Sequence, residues 1–525
     1  MKHSPIHPTM RHLILFAVFP ALFACQPPKS QSAKPAVVPE ETGTPEDSPA
    51  EAPAAAWEVR SSVVRVNSTQ QTWNLWQPWE KNPPQRRRAL AAIVGPQLVL
   101  TTAELVANAT YLEFESPDGS RFAGARVIAA DYEANLALLG PASEKEGERF
   151  FANTVPFEIS APPGIGSTLD ILQLEDNGKP LITSGSLQSV DVTSNLMPGQ
   201  GFLTYLVKAA MRSVSSSYTL PVLHGQKLAG VLLSYNSKDQ ICDVVSTDIL
   251  KRFITEAANG KYDGFPGLGI SIARTEDSQF RQWLGLGEDQ GGLYIRNVRK
   301  GAAADRAGVR KGDVLLAIDG QPIDRRGYYE HPQYGSLSWG HLIRGAKAGG
   351  DKVSLSLLRD GKPLELEAVA EREDNEARLV PNHLYEKAPN YLIKGGMVFM
   401  ELSRPVLESF GDDWRTRAPL NLLDAFENPE NYEESLDRVV FLSGAIPTPA
   451  TVGYERLRNL IVKKVNGVEI RNMKSLKDAF EGHEEDIHTI EFADENLTVH
   501  LDELIASEVD SQLLQRGISR LSRTE

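Results

Sequence analysis

Apolar positions recur in short alternating runs from Trp57 onward, over residues 61–66, 89–101, 123–130, 136–139, 168–172, 203–207 and 228–233. Gly, Pro, Asn or Asp separates many of them. A period of two broken by turn residues predicts many short strands, hence a β-barrel or sandwich over residues 57–262. The pattern changes at 248–258, where Ile249, Phe253 and Ile254 share one face of a predicted closing helix. Two further units follow, at 263–372 and 391–502. Each carries a strand, a turn and a strand, then a helix and a final hairpin. In the first, Gly308 closes a short helix and Gly312-Asp313 opens the apolar strand 314–318, with Arg359-Asp360-Gly361 as the hairpin turn. In the second, Val465-Asn466-Gly467-Val468 repeats the strand and turn, residues 473–480 form the helix, and 489–492 with 498–501 the hairpin. The two units read as a diverged internal repeat, and 503–525 as a C-terminal tail with a helix.

The N-terminus has a different pattern. Lys2 and Arg11 precede an apolar run from Leu13 to Phe23, which ends in Leu22-Phe23-Ala24-Cys25. The run is too short to span a membrane and has the length of a signal segment. Its end resembles the lipobox of bacterial lipoproteins, which would place a lipid on Cys25 and assign 1–25 to a signal. Residues 26–56 are rich in Pro, Ala, Glu, Ser and Thr and hold no aromatic residue. Such a stretch buries too little apolar surface to offset its ordering entropy, so an extended, disordered tether is expected.

Composition narrows the partners. A net charge of −14 argues against nucleic acid, which needs a basic surface. The basic run Arg86-Arg87-Arg88 reads as a solvated loop. Of the two cysteines, Cys25 belongs to the lipid signal, and Cys242 alone cannot form an internal disulfide. No metal-ligand spacing and no phosphate loop occurs, so neither a metal nor a cofactor is expected.

Three segments carry the candidate chemistry. They are Thr101-Thr102-Ala103-Glu104-Leu105-Val106 after an apolar strand, Asn135-Leu136-Ala137-Leu138-Leu139, and Ser216-Ser217-Tyr218-Thr219-Leu220-Pro221 before a hairpin. Together with the two C-terminal units they resemble the HtrA/Deg proteases. The second unit, through Tyr391-Leu392-Ile393-Lys394-Gly395-Gly396-Met397-Val398-Phe399, resembles the second PDZ module of the plant-type members. The resemblance implies a mostly β fold, with a trypsin-like double β-barrel followed by two PDZ (α+β) domains. It also implies that Glu104, Asn135 and Tyr218 stand where the family has its catalytic histidine, aspartate and serine. A carboxylate, a neutral amide and a phenol cannot reproduce base, orienter and nucleophile. The glycines that help shape the family's oxyanion turn are also replaced. Residues 57–262 contain one histidine, His224, and the first barrel none. The alternative is an active serine endopeptidase rebuilt around Ser215, Ser216 or Ser217 with Glu104 or His224.

The resemblance further implies that the first PDZ module binds extended peptides or C-termini, with Leu268-Gly269-Ile270 as the terminal-carboxylate loop and Leu342 on the groove helix. In the second module Met397-Val398-Phe399 takes the loop position without its glycine, which suggests a closed module used in assembly. A homo-oligomer, trimer or larger, is expected through the barrel. The lipid anchor implies the bacterial envelope facing the periplasm, and Gln26 after the cysteine favours the outer membrane over the inner. The resulting expectation is a membrane-anchored pseudoprotease that serves as a scaffold, adaptor or quality-control factor binding peptides or envelope proteins.

Overall fold

A computed structural model describes residues 58–197, 199–211, 219–260, 262–493 and 497–524. The expected signal, lipidated Cys25, the tether 26–56 and Tyr218 with its neighbouring serines lie outside the described residues.

Twelve strands form two closed six-stranded barrels. The first contains β1 (Val63–Gln70), β2 (Gln85–Gly95), β3 (Leu98–Thr101), β4 (Ala109–Glu115), β5 (Phe122–Asp131) and β6 (Leu136–Pro141), in the order β1-β2-β3-β6-β5-β4. The second contains β7 (Thr168–Leu174), β8 (Pro180–Ser194), β9 (Gly201–Lys208), β10 (Leu220–His224), β11 (Lys227–Asn236) and β12 (Ile241–Val245), in the order β10-β11-β12-β9-β8-β7. The apolar run in β2 follows from its two buried faces. Ala89, Ala91 and Ile93 fill the first barrel, whereas Leu90 and Ala92 join the core of the second. In β6, Ala137 and Leu139 face inward and Leu136 and Leu138 outward in the same way. The predicted closing helix is Thr247–Ala258, burying Ile249, Leu250, Phe253 and Ala257.

The Arg86–Arg88 run is not a loop but part of β2, paired with Ser68, Thr69 and Asn67 of β1. Arg88 ion-pairs with Glu115, and Arg87 with Glu104. Neighbouring carboxylates let a basic run occupy a strand that composition alone would assign to solvent.

The first C-terminal module comprises β13 (Ile270–Ala273), β14 (Leu293–Val298), β15 (Val314–Ile318), β16 (Gln321–Pro322), β17 (Tyr328–His331), β18 (Gly335–Ser338), β19 (Lys352–Arg359) and β20 (Lys362–Val369). Its sheet order is β13-β14-β15-β19-β20, which leaves β13 at an edge. Asp313 anchors the turn before β15 by accepting from the Arg310 N–H at 2.8 Å and from Arg359 Nε at 2.7 Å. The core of this module is continuous with that of the second barrel. Phe265 meets Phe202 edge-on at 5.0 Å, and Tyr334 lies beside Tyr205.

The second module comprises β21 (Tyr391–Lys394), β22 (Met397–Glu401), β23 (Val440–Ala445), β24 (Leu460–Val465), β25 (Val468–Glu469), β26 (Ile487–Phe492), β27 (Thr498–Asp502) and β28 (Ser522–Arg523), in the order β27-β26-β24-β23-β22-β21-β28. Met397–Phe399, expected in a loop, are the first residues of β22. By its place in the sheet order β22 corresponds to β13, but β21 already pairs with its outer edge. The 503–525 segment is more than a tail. Helix Glu503–Gln515 buries Ala506, Val509 and Leu513, and β28 pairs with β21. Arg523 stacks 4.2 Å from the Trp73 ring centroid and donates to the carbonyls of Pro78 and Pro389. The chain end is therefore folded into the module, because its apolar residues complete the core there.

Candidate functional site

The three candidate segments converge where the barrels meet. Glu104 lies in the single helical turn Ala103–Val106 after β3. Gln70 secures this turn by donating through Nε2 to the carbonyls of Glu104 and Leu105, at 2.7 and 2.9 Å. Asn135 opens β6 in the left-handed region, with φ of 57°, a conformation that asparagine tolerates better than most residues. Its Oδ1 accepts the Glu104 N–H at 2.9 Å. Asp131 braces the loop by accepting from the Ala134 N–H at 2.7 Å and the Tyr262 hydroxyl at 2.6 Å. From the second barrel, Thr219 meets Thr102 hydroxyl to hydroxyl at 2.7 Å, a buried contact. The residue after Tyr218 thus lies against the segment that carries Glu104.

The polar groups at this junction are engaged with one another. Glu104 directs its carboxylate to Arg87 at 2.5 Å, and about half of its side chain is exposed. An exposed ion pair of this kind contributes about 0–1 kcal/mol. Asn135 keeps an acceptor for the backbone of residue 104 but has no negative charge with which to stabilise a cation. His224 is exposed at the end of β10.

The segment joining the two modules lies against this face of the first barrel. Tyr385 packs on Tyr132 with ring centroids 4.3 Å apart, and His383 lies 5.0 Å from Tyr385. Glu386 accepts from the Asn108 N–H and the Tyr132 hydroxyl, and Asn108 Oδ1 accepts the Glu386 N–H in return. Burial pushes the His383 imidazole down to about 4, so it stays neutral. No sequence periodicity announces this docking, because it depends on single aromatic and amide contacts between residues distant in sequence.

The other candidate site is a cavity of about 450 Å³ beside β13, lined by Leu268, Gly269 and Ile270. Gly269 has φ of +72°, and a methyl group there would come within 2.2 Å of Ala302 Cβ. Only glycine fits this turn. The carbonyls of Leu268 and Gly269 accept from Ala304 and Arg299, which fixes the loop, while their N–H groups meet no acceptor among the described residues. The opposite wall is Trp339, Gly340 and Ile343. Leu342, expected on this wall, is not among the cavity's lining, whereas its neighbour Ile343 is, and both side chains are buried in the core.

A set of charges beneath the cavity was not legible in the sequence. Arg299 pairs with Glu373 at 3.1 Å, and Arg378 joins the same carboxylate. Glu133, two residues before Asn135, is pushed up to about 7 by burial, against the attraction of Arg344. No group of acidic, histidine or cysteine side chains able to hold a metal occurs among the described residues, and none of their helices is long and apolar enough to cross a membrane.

Comparison with known proteins agrees with this architecture. PDZ-domain families match residues 266–369 and 380–519. Protease Do-like 4, mitochondrial, of Arabidopsis thaliana is 28% identical over 424 residues, 80% of this chain and 77% of that protein. Protease Do-like 2, chloroplastic, of the same plant is 25% identical over 443 residues, covering 84% and 71%. Among solved structures, the HtrA-type protease AlgW with decapeptide is 19% identical, with a TM-score of 0.45 over 60% of this chain and 97% of that one. The chain thus has the architecture of the HtrA/Deg protease family, a trypsin-like double barrel followed by two PDZ domains.

Proposed function

We propose that this chain is a non-catalytic member of its family, a scaffold or adaptor that binds peptides through the first PDZ domain. The observation that carries the reading is the absence of any histidine from the first barrel, with only exposed His224 in the second. Glu104, at the position of the family's histidine, is committed to Arg87. Asn135, at the position of its aspartate, has no charge to offer. Loss of triad members costs up to about 10⁶-fold in rate where the effect has been dissected.

What remains suited to function is the free edge of β13, beside a loop with two unengaged N–H groups. Such an edge takes an extended peptide as an added strand. The second PDZ domain has its corresponding edge covered by β21, which fits a role in assembly. The reading extends to a homo-oligomer, trimer or larger, tethered through Cys25 to an envelope membrane and facing the periplasm. Its support is the lipobox-like end of the apolar run and the Pro-rich segment that follows.

A fluorophosphonate probe tests the catalytic half of the proposal. The full chain should remain unlabelled under conditions that label an active serine protease. Labelling at Ser215, Ser216 or Ser217 would instead identify a rebuilt endopeptidase.

A further inference from the structure

The groove beside β13 is basic within an acidic protein. Six arginines line it, Arg296, Arg299, Arg344, Arg378, Arg404 and Arg415, against the carboxylates of Glu373, Glu427 and Glu433. Most of these charges are already engaged. Glu373 holds Arg299 and Arg378, Glu427 faces Arg415 at 3.4 Å, and Arg404 pairs with Glu408 at 2.8 Å. Two guanidinium groups remain without an ion pair among the described residues, those of Arg296 and Arg344.

Their positions differ. Arg344 ends the helix on the groove wall, and its Nε is buried without an acceptor. A methyl group built on Gly267 would lie 3.1 Å from Glu373 Oε1 and 3.5 Å from Arg344 Nη2, so this guanidinium, beside the Glu373 carboxylate already held by Arg299 and Arg378, sits at the loop with the unengaged N–H groups. Arg296 is exposed on β14, one strand in from the open edge. The second PDZ domain limits the groove from outside. Its insertion 404–433 contributes Arg415 and Phe426 to the lining, and Glu430 accepts from Asn297 Nδ2 at 3.0 Å.

From this arrangement we infer that the groove selects a short peptide C-terminus with an acidic residue close to its end. Arg344 and the loop N–H groups hold the terminal carboxylate, and Arg296 holds the acidic side chain. An anion here gives an acceptor to the buried Arg344 Nε and a counter-charge to exposed Arg296, and charge-assisted hydrogen bonds are among the stronger ones. The inference rests on the peptide-binding reading proposed above and specifies its ligand class.

A synthetic octapeptide library, randomised at the last four positions, tests it on the full chain. One pool carries free carboxylates and the other C-terminal amides. The free-acid pool should be retained, with Asp and Glu enriched several-fold near the end, and the amide pool should not. Arg296→Gln should abolish the acidic preference, lowering retention of acidic-ended peptides to that of neutral-ended ones. Arg344→Gln should weaken retention of every free-acid peptide about tenfold, and Arg344→Lys should restore part of it. Retention without acidic enrichment, or enrichment unchanged by Arg296→Gln, would overturn the acid selectivity and leave peptide binding standing. Equal retention of both pools would overturn the carboxylate anchor. Retention of neither would overturn the peptide-binding reading itself.

Discussion

Under the proposed reading, Glu104 and Asn135 keep a local structure without the chemistry of a catalytic pair. Asn135 still ties its loop to the turn holding Glu104, through a 2.9 Å bond to that residue's N–H. The turn survives because the bond needs only an acceptor, whereas proton transfer needs a titrating partner in reach. Gly269 shows the opposite case, a position that tolerates no side chain. Gly269→Ala should lower stability by about 2 kcal/mol or more, from strain at positive φ and overlap with Ala302. Chemical denaturation measures the loss, and peptide retention should fall with it.

Glu133 carries a pH dependence of definite sign. Its ordinary value is 4.5, and burial raises it to about 7, against Arg344 and with Asp131 and Glu373 adding to the rise. Between these values the native carboxyl holds a proton that the unfolded one has released, so its contribution to stability falls as pH rises through this window. Glu133→Gln should therefore match the parent near pH 4.5 and exceed it in melting temperature at pH 8. A parent that is equally stable or more stable at pH 8 would refute the assignment.

At the scale of elements, the chain end acts as a clasp. β28 adds to the edge of β21, and Arg523 reaches the carbonyls of Pro78 and Pro389, joining the β1–β2 connection, the inter-domain segment and the second PDZ domain. Arg523→Ala should cost about 3 kcal/mol, the sum of charged hydrogen bonds and ring stacking. Limited proteolysis should then cut first within 72–82, and unchanged resistance there would show that the clasp is dispensable. This element lay outside what the sequence could reveal. A two-residue strand has no periodicity, and the partners of Arg523 are distant in sequence. The barrels and the first PDZ domain were legible because period-two alternation and Gly-Asp turns are local signals. The groove-wall helix, expected over 342–346, spans His341–Arg344, and the sequence does not disclose which of Leu342 and Ile343 lines the cavity, because that depends on a one-residue rotation. Arg86–Arg88 read as a loop in the sequence because composition does not disclose the carboxylates across the sheet.

For the molecule as a whole, shared cores determine what can move independently. The second barrel and the first PDZ domain share one continuous apolar core, which joins the groove beside β13 to the barrel. The segment 380–390 lies over the face bearing Glu104 and Asn135, held by Tyr132 and Asn108. The groove is the proposed seat of function, and the junction around Glu104 and Asn135 has a structural role under that reading. Its central claim is that this family member does not cleave protein. The most direct measurement is release of fluorescent peptides from labelled casein by the purified full chain, beside the variant with Ser215, Ser216 and Ser217 all changed to alanine. The account predicts release at the buffer rate from both proteins. Turnover by the parent that is lost in the triple variant would contradict it.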